Sequence, residues 1–354
     1  MLAQSKTRLA FQKREKGLPM AARATERAAP GATGAGAAPA VRRLVVDEEH
    51  AGQRLDNFLL RLAKGVPKSH VYRVVRSGEV RVNGRRCSAE YRLAKGDELR
   101  IPPLRLAQTP ARAPAQMPAI LYEDEHLLAL DKPCGVAAHG GSGIAFGLIE
   151  RVRAARPNQP FLELGHRLDR ETSGVLLLAK TRRCLLALHE QLRTGQVEKR
   201  YWALVVGDWV NERQHVRLAL TKRTLAGGER RVFVDPSEGA QAHSVFELCA
   251  RLNGFSLLDA QLMTGRTHQI RVHLAHLGFP ILGDDKYGDF EINRRAAKGD
   301  FGPRLGRMFL HAHLVGLAHP VSGAPLRIES PLPAECAQWL EARDPSLRAR
   351  LQHE

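Results

Sequence analysis

Ten consecutive residues, Gly165-His-Arg-Leu-Asp-Arg-Glu-Thr-Ser-Gly174, crowd a carboxylate, arginines and an imidazole into one polar loop, just ahead of the apolar run Val175 to Ala179. Asp169 stands between Arg167 and Arg170, and nearby cations keep a carboxyl ionised. That form suits a nucleophile and not a general acid. A structural role competes with it, because Asp before Thr-Ser-Gly readily closes a turn through backbone hydrogen bonds. The loop alone leaves the two roles equal. A second cationic stretch, Thr264-Gly-Arg-Thr-His-Gln-Ile-Arg-Val-His273, follows a strand and opens a helix, so Arg266 and Arg271 are placed to meet a carboxylate or a phosphate.

Other clusters carry less. His268, His273 and His276 are spaced i, i+5, i+8, without H-E-x-x-H or a nearby Cys, and are expected as core or surface imidazoles, so no metal site is expected. The glycines of His139-Gly-Gly-Ser-Gly143 match neither a dinucleotide fingerprint nor a P-loop, which argues for a turn and against a bound nucleotide. Five scattered cysteines without a C-x-x-C pair fit a reduced compartment.

The elements that must hold the two loops can be sketched from patterning. Ile120 to Tyr122 and Leu127 to Leu130 predict strands, with a helix over 145–155. Val175 to Ala179 predicts a buried strand, Arg182 to Leu192 a helix stopped by Gly195, and Glu198 to Gly207 a strand with alternating faces. Phe255 to Leu262 predicts the strand that feeds the second loop, whose helix ends near Gly278.

Charge separates this body from what precedes it. Residues 1–43 carry nine basic and two acidic side chains (+7), 44–51 carry three acids (−3), 52–101 carry twelve basic against five acidic (+7), and 102–118 two arginines (+2). The first third thus holds +13 of the net +17, the signature of a polyanion grip on a nearly neutral body. Nucleic acid is the first candidate and an anionic membrane surface the second. No apolar run reaches the roughly 18 residues of a membrane span, and no secretory signal is evident.

Fifteen of the twenty residues over 21–40 are Ala, Gly or Pro, so 1–43 is expected as a disordered basic tail. An Arg- and Ala-rich start also matches a mitochondrial presequence, which Glu15 and Glu26 weaken. Residues 44–101 predict a unit of its own. Leu55, Phe58, Leu59 and Leu62 mark one helix face, Pro67 breaks it, and Val71, Val74 and Val75 mark a second helix. A strand over 79–82, the turn pair Asn83-Gly84 and further strands ending at Ile101 follow, a small hairpin sheet. Arg54, Lys68, Arg73, Arg76, Arg85 and Arg86 are its candidate RNA contacts; singly each could be a merely solvated charge, but together they favour an RNA-facing surface. Five prolines over 102–118 predict a linker, 119–340 a second domain, and 341–354 a C-terminal tail.

Two resemblances give these units a function. Gln53-Arg-Leu-Asp-Asn-Phe-Leu59 to Gly78-Glu-Val-Arg-Val-Asn-Gly84 resembles the S4 RNA-binding domain of ribosomal and RNA-modifying proteins. In the second domain, Asp131-Lys-Pro-Cys-Gly135, His166-Arg-Leu-Asp169 with Thr172-Ser-Gly174, Lys199-Arg-Tyr201 to Gly207, and Gly265-Arg-Thr-His-Gln-Ile-Arg271 resemble, in order, the motifs of the RluA-like pseudouridine synthase family. Gly283-Asp-Asp-Lys-Tyr-Gly-Asp-Phe290 and Met308-Phe-Leu-His311 extend the likeness, while Cys134 stands where Ser is frequent.

That resemblance implies an α+β fold: an S4-like module, then a pseudouridine synthase domain on a mixed, largely antiparallel sheet. It implies that Asp169 is the catalytic aspartate, Tyr201 stacks on the flipped base, Arg271 pairs with Asp169, Arg167 fills the vacated place in the RNA stack and Leu310 packs near the base. His166 joins the substrate contacts, and Arg266 stays open as an alternative ion-pair partner. Such residue types are what extruding a uridine requires. The reaction breaks the N1–C1′ bond, turns the base and joins C5 to C1′ without a cofactor; attack at C1′, attack at C6 and sugar-proton abstraction all remain open. A hydrolase would present two carboxylates, whereas this loop offers Asp169 with only Glu171 beside it. The expectation is therefore a monomeric, cytoplasmic isomerase acting on uridines of 23S rRNA, without metal or membrane. The alternatives are the same chemistry on tRNA or another rRNA site, and a non-enzymatic S4-containing ribosome-associated RNA-binding protein.

Overall fold

The computed structural model describes residues 41–63, 66, 68–103, 117–140, 146–225 and 229–351. The tail over 1–40, most of the linker and much of the glycine turn after His139 lie outside these.

The N-terminal unit opens with β1 (Arg42–Val45), so residues 42 and 43 belong to it and not to the expected tail. Then come α1 (Leu55–Leu62), α2 (Lys68–Arg76), β2 (Arg81–Val82) and β3 (Glu98–Ile101). β1 and β2 flank β3 antiparallel, and β1 lies outside the hairpin sheet the patterning suggests. Asn83 and Gly84 both take positive φ (50° and 75°), and Val82 and Arg85 exchange backbone hydrogen bonds across them, as a two-residue hairpin turn demands. Leu55, Phe58 and Leu59 of α1 pack with Val71, Val74 and Val75 of α2 and with Leu99 and Ile101, a core drawn from this unit alone.

The larger unit contains β4 (Ile120–Glu123), β5 (Leu127–Lys132), α3 (Leu148–Ala155), β6 (Glu163–Leu164), β7 (Ser173–Ala179), α4 (Arg182–Arg193), β8 (Glu198–Val206), β9 (Arg213–Thr224), β10 (Arg230–Val234), β11 (Ala240–Arg251) and β12 (Phe255–Leu262). There follow α5 (Gln269–His276), α6 (Phe290–Lys298), β13 (Leu310–Ala318), β14 (Pro325–Glu329), α7 (Ala334–Glu341) and α8 (Leu347–Leu351). Eleven strands form one sheet in the order β10-β9-β11-β12-β8-β13-β7-β5-β4, with β14 beside β13 and β6 beside β7. Only β13 and β7 pair in parallel, so the sheet is mixed and largely antiparallel, in an α+β chain.

Both faces of the central strands are covered. On β8, Tyr201, Ala203 and Val205 enter one core with Leu176 and Leu178, whereas Trp202 and Leu204 enter another with Phe309 and Trp339. Gly174, the second residue of β7, has φ 111°, and a Cβ there would collide with the Ala312 backbone. Only glycine lets the Asp169 loop join the sheet so closely to β13.

Two boundaries move. The helix expected over 145–155 begins at Leu148, with Gly147 at its N-cap. Within the expected tail over 341–354, the described residues fold: α8 packs back and buries Leu347 beside Trp339 and Leu340. Five residues are too short for helical periodicity to show in sequence. The two units touch through polar ties, Arg61 to Glu163 at 3.2 Å and Glu49 accepting from the Arg182 backbone at 2.9 Å.

Candidate active site

Asp169 sits in the turn between β6 and β7, where its backbone carbonyl accepts from Thr172 N–H at 3.2 Å. Its carboxylate caps nothing among the described residues and points instead into a cleft of about 570 Å³. Arg271 Nη1 and His268 Nε2 approach its two oxygens at 3.9 Å each. The loop's own arginines are elsewhere: Arg167 is exposed on the rim and Arg170 pairs with Glu171 at 2.5 Å. The charge opposite Asp169 therefore comes from α5.

Arg271 is held rigidly for that task. It is 2% exposed, and it donates from Nε and Nη2 to both oxygens of Asp284 (2.7 and 2.6 Å) and from Nη2 to Asp285 at 3.0 Å. Burial opposes its charge, but the Asp284 hydrogen bonds and the carboxylates around it raise its pKa overall. One edge is spent on Asp284, so Nη1 is left to face Asp169. Tyr287 lies under the guanidinium at 5.2 Å and bonds His268 Nδ1 at 2.9 Å. His268 is held at φ 53°, a left-handed conformation costly for a residue with a Cβ. Arg266 is not the ion-pair partner: its guanidinium donates to the Gln241 carbonyl at 3.2 Å on the cleft rim.

Tyr201 and Leu310, 6% and 3% exposed, line the same cleft from the adjoining strands β8 and β13. Burial, then the Asp169 charge, pushes the Tyr201 phenol pKa up and keeps it neutral. His166 lines the cleft too, but its Nε2 accepts from Leu177 N–H at 3.2 Å, which ties the loop to β7. Burial, then the Lys199 charge, drops its pKa to about 4, consistent with that neutral acceptor. Beneath the loop, fully buried Lys132 donates to the Arg170 carbonyl at 3.0 Å and Cys134 Sγ to the Glu171 carbonyl at 3.0 Å. The Asp131-Lys-Pro-Cys-Gly135 motif thus braces the Asp169 turn.

Sequence reasoning missed Asp284, His268, Tyr287 and Lys132 as parts of the site. Asp284 and Tyr287 were visible in Gly283-Asp-Asp-Lys-Tyr-Gly-Asp-Phe290, but nothing in spacing says that Asp284 reaches Arg271. Among the described residues Asp169 is the cleft's sole carboxylate, and no His, Cys, Asp or Glu cluster has the arrangement of a metal site. A larger cavity of about 840 Å³ opens on the opposite sheet face, beside Trp202, Gln338 and Leu351, and holds none of the expected site residues.

A lone carboxylate beside a fixed guanidinium, an aromatic face and an apolar floor meets its match in known proteins. The family model described as RNA pseudouridylate synthase matches residues 126–276, and the S4 domain model matches 53–99. Ribosomal large subunit pseudouridine synthase C of Escherichia coli (strain K12) is 48% identical over 302 residues, 83% of this chain and 94% of that protein. The chain belongs to the RNA pseudouridylate synthase family. The Pasteurella multocida protein of the same name is 47% identical over 86% of this chain and 94% of its own length. Among solved structures, Human RNA Pseudouridylate Synthase Domain Containing 4 shares 27% identity and a TM-score of 0.52, over 63% of this chain and 92% of that one. The protein is therefore an RluA-like pseudouridine synthase, an isomerase carrying an S4 domain, and not a non-enzymatic RNA binder.

The S4 domain presents its cations unevenly. Arg76, Arg85 and Arg86 are exposed, and Arg73 is exposed with Nη2 3.0 Å from His70 Nδ1. The Lys68 side chain lies outside the described residues. Arg54, whose side chain stays partly exposed, clamps Asp56 through Nε and Nη2 at 3.1 and 2.7 Å, with Tyr72 bonding the same carboxylate at 2.9 Å. It thereby braces the start of α1, which sets it apart from the other candidate RNA contacts.

Proposed function

We propose that this synthase isomerises uridines of large-subunit (23S) rRNA, with Asp169 as the catalytic carboxylate. What carries the reading is Asp169 alone in the cleft, faced by an arginine whose other edge is locked to Asp284. A hydrolase needs a second carboxylate to activate water; an isomerase returns the same base to the same sugar and needs one. Tyr201 stacks on the extruded uracil, Leu310 floors it, and Arg167 on the rim fills the gap left in the RNA. These offset part of the few kcal/mol that unstacking costs. Arg271 faces the carboxylate with a full positive charge and orients it.

Large-subunit rRNA as substrate is supported by the likeness to synthases named for that subunit over most of both chains, together with the S4 domain. The reading includes action as a monomer in the cytoplasm, where rRNA is made. The test is to map pseudouridine in large-subunit rRNA from a deletion strain. Sites that vanish, return with the wild-type gene and stay absent with Asp169→Asn support the reading. A full complement of sites in the deletion strain would refute it.

A further inference from the structure

One buried cation of the cleft has no protein counterpart among the described residues. Lys199 lies on β8 two residues before Tyr201 and lines the same cleft, yet it is only 8% exposed. Among the described residues it makes no hydrogen bond, ion pair or ring contact. The other two buried Lys or Arg residues are compensated, Arg271 by Asp284 and Lys132 by the carbonyls of Pro133 and Arg170. Nearby His166 is held neutral and offers no negative charge.

Burying an ammonium without a partner costs stability and drives its pKa down, as burial alone does here. Folded proteins break such rules chiefly at functional sites. Asp169, the cleft's sole carboxylate among the described residues, forms no ion pair with Lys199. Phosphodiesters are the full negative charges an RNA strand carries into such a place.

We propose that Lys199 is an anion-binding group of the catalytic cleft and that its ligand is a backbone phosphate flanking the extruded uridine. This rests on the reading of the cleft given above. It makes Lys199 a substrate-positioning cation, holding the nucleotide by its backbone while Tyr201 and Leu310 hold the base.

The experiment compares wild type, Lys199→Met and Lys199→Arg on one substrate oligonucleotide, following turnover, Kd and Tm. Kd is also measured on RNAs in which the linkage 5′ or 3′ of the target uridine is replaced, one at a time, by an uncharged methylphosphonate. Each such RNA carries a 2′-O-methyl on the sugar before the linkage, with a control bearing that methyl and an ordinary phosphate. Wild-type turnover on the unmodified RNA tests the parent reading separately. Lys199→Met is expected to weaken binding and turnover by about ten- to a hundredfold, with Lys199→Arg retaining more. Its Tm should hold or rise, because an uncompensated charge is gone; a purely structural lysine would lower it. One neutral linkage should weaken wild type about as much and leave Lys199→Met indifferent. Wild type unaffected by either neutral linkage would overturn the proposal whether or not the variant folds. Equal losses in wild type and Lys199→Met at both linkages would overturn it too, as would a Met variant with wild-type affinity and turnover.

Discussion

The catalytic cleft and the S4 surface both use arginine, in opposite ways. Arg271 is 2% exposed, bound to Asp284 through two nitrogens and aimed at one oxygen of Asp169. Arg76 and Arg85 are exposed and draw strength from number. A buried charge acts in a low dielectric at fixed geometry, so one is enough and no substitute serves. An exposed charge is screened within about 8–10 Å, so grip on a polyanion must be built from many. Loss of Asp169 or of the arginine that faces it should therefore be catastrophic for turnover and mild for affinity, and loss of a surface residue the reverse.

The widest gap belongs to Asp169→Asn. Turnover should fall by about 10⁴-fold or more, as for other lone catalytic groups, while Kd and salt dependence stay near wild type. A variant purified free of deamidation that still turns over would break the comparison at its centre. Next comes Arg271→Lys, which keeps the charge and loses the planar fork. About 10²-fold in turnover should go with it, along with about 1–3 kcal/mol of stability, since Asp284 is left with a poorer partner. Arg266→Lys, whose guanidinium meets only a carbonyl on the rim, should change turnover far less. A reversed ranking in steady-state kinetics would assign the carboxylate to the wrong arginine.

What could be read in advance follows the same division. That Asp169, Tyr201, Leu310 and Arg271 share one cleft was expected from the family resemblance, because each lies in a contiguous motif that carries it. Asp284, thirteen residues beyond Arg271, was not, because which carboxylate meets a guanidinium depends on how α5 packs and not on spacing. His268 read as a bystander, since a left-handed N-cap that turns an imidazole toward Asp169 leaves no periodic trace. Strands β9, β10 and β11 were passed over; in β9 the alternation of Val216 and Leu218 with His215 and Arg217 breaks at Ala219, which is buried between Leu218 and Leu220. On the S4 domain, counting charges identified the surface but could not reveal that Arg54 is spent on Asp56.

A chain starting near Ala119 sharpens the contrast at the level of whole units. The S4 core contains no residue of the larger unit, and the ties across the boundary are polar, so the truncated synthase should stay folded and keep its chemical step. It loses +13 of +17. Its affinity for rRNA should fall, and the slope of log K against log salt should flatten by about 0.7 to 0.9 for each phosphate contact removed. Matching affinities and slopes for full-length and truncated protein would show that the basic third does not grip RNA.

The smallest effects test the comparison within the S4 domain itself, where Arg54 and Arg76 look alike in sequence and differ in structure. Arg76→Ala should leave Tm unchanged and reduce the salt slope by about one phosphate contact. Arg54→Ala should do the opposite: Tm falls and the slope barely moves, because the loss strands the nearly buried Asp56 carboxylate at the start of α1. The pH dependence fixes the sign. The Arg54 hydrogen bond, against the opposing effect of burial and with help from Tyr72, holds the Asp56 pKa below its usual value. A carboxylate whose folded pKa is depressed lends stability that is complete above the unfolded value, near pH 4, and is lost as pH falls through the folded one. The Tm difference between wild type and Arg54→Ala should accordingly be full at neutral pH and close as the solution is acidified below about pH 4. A difference that persisted or widened in acid would mean that Arg54 stabilises the domain by some contact other than Asp56. If Arg54→Ala instead lowered the salt slope at unchanged Tm, its guanidinium would belong with Arg76 on the RNA face.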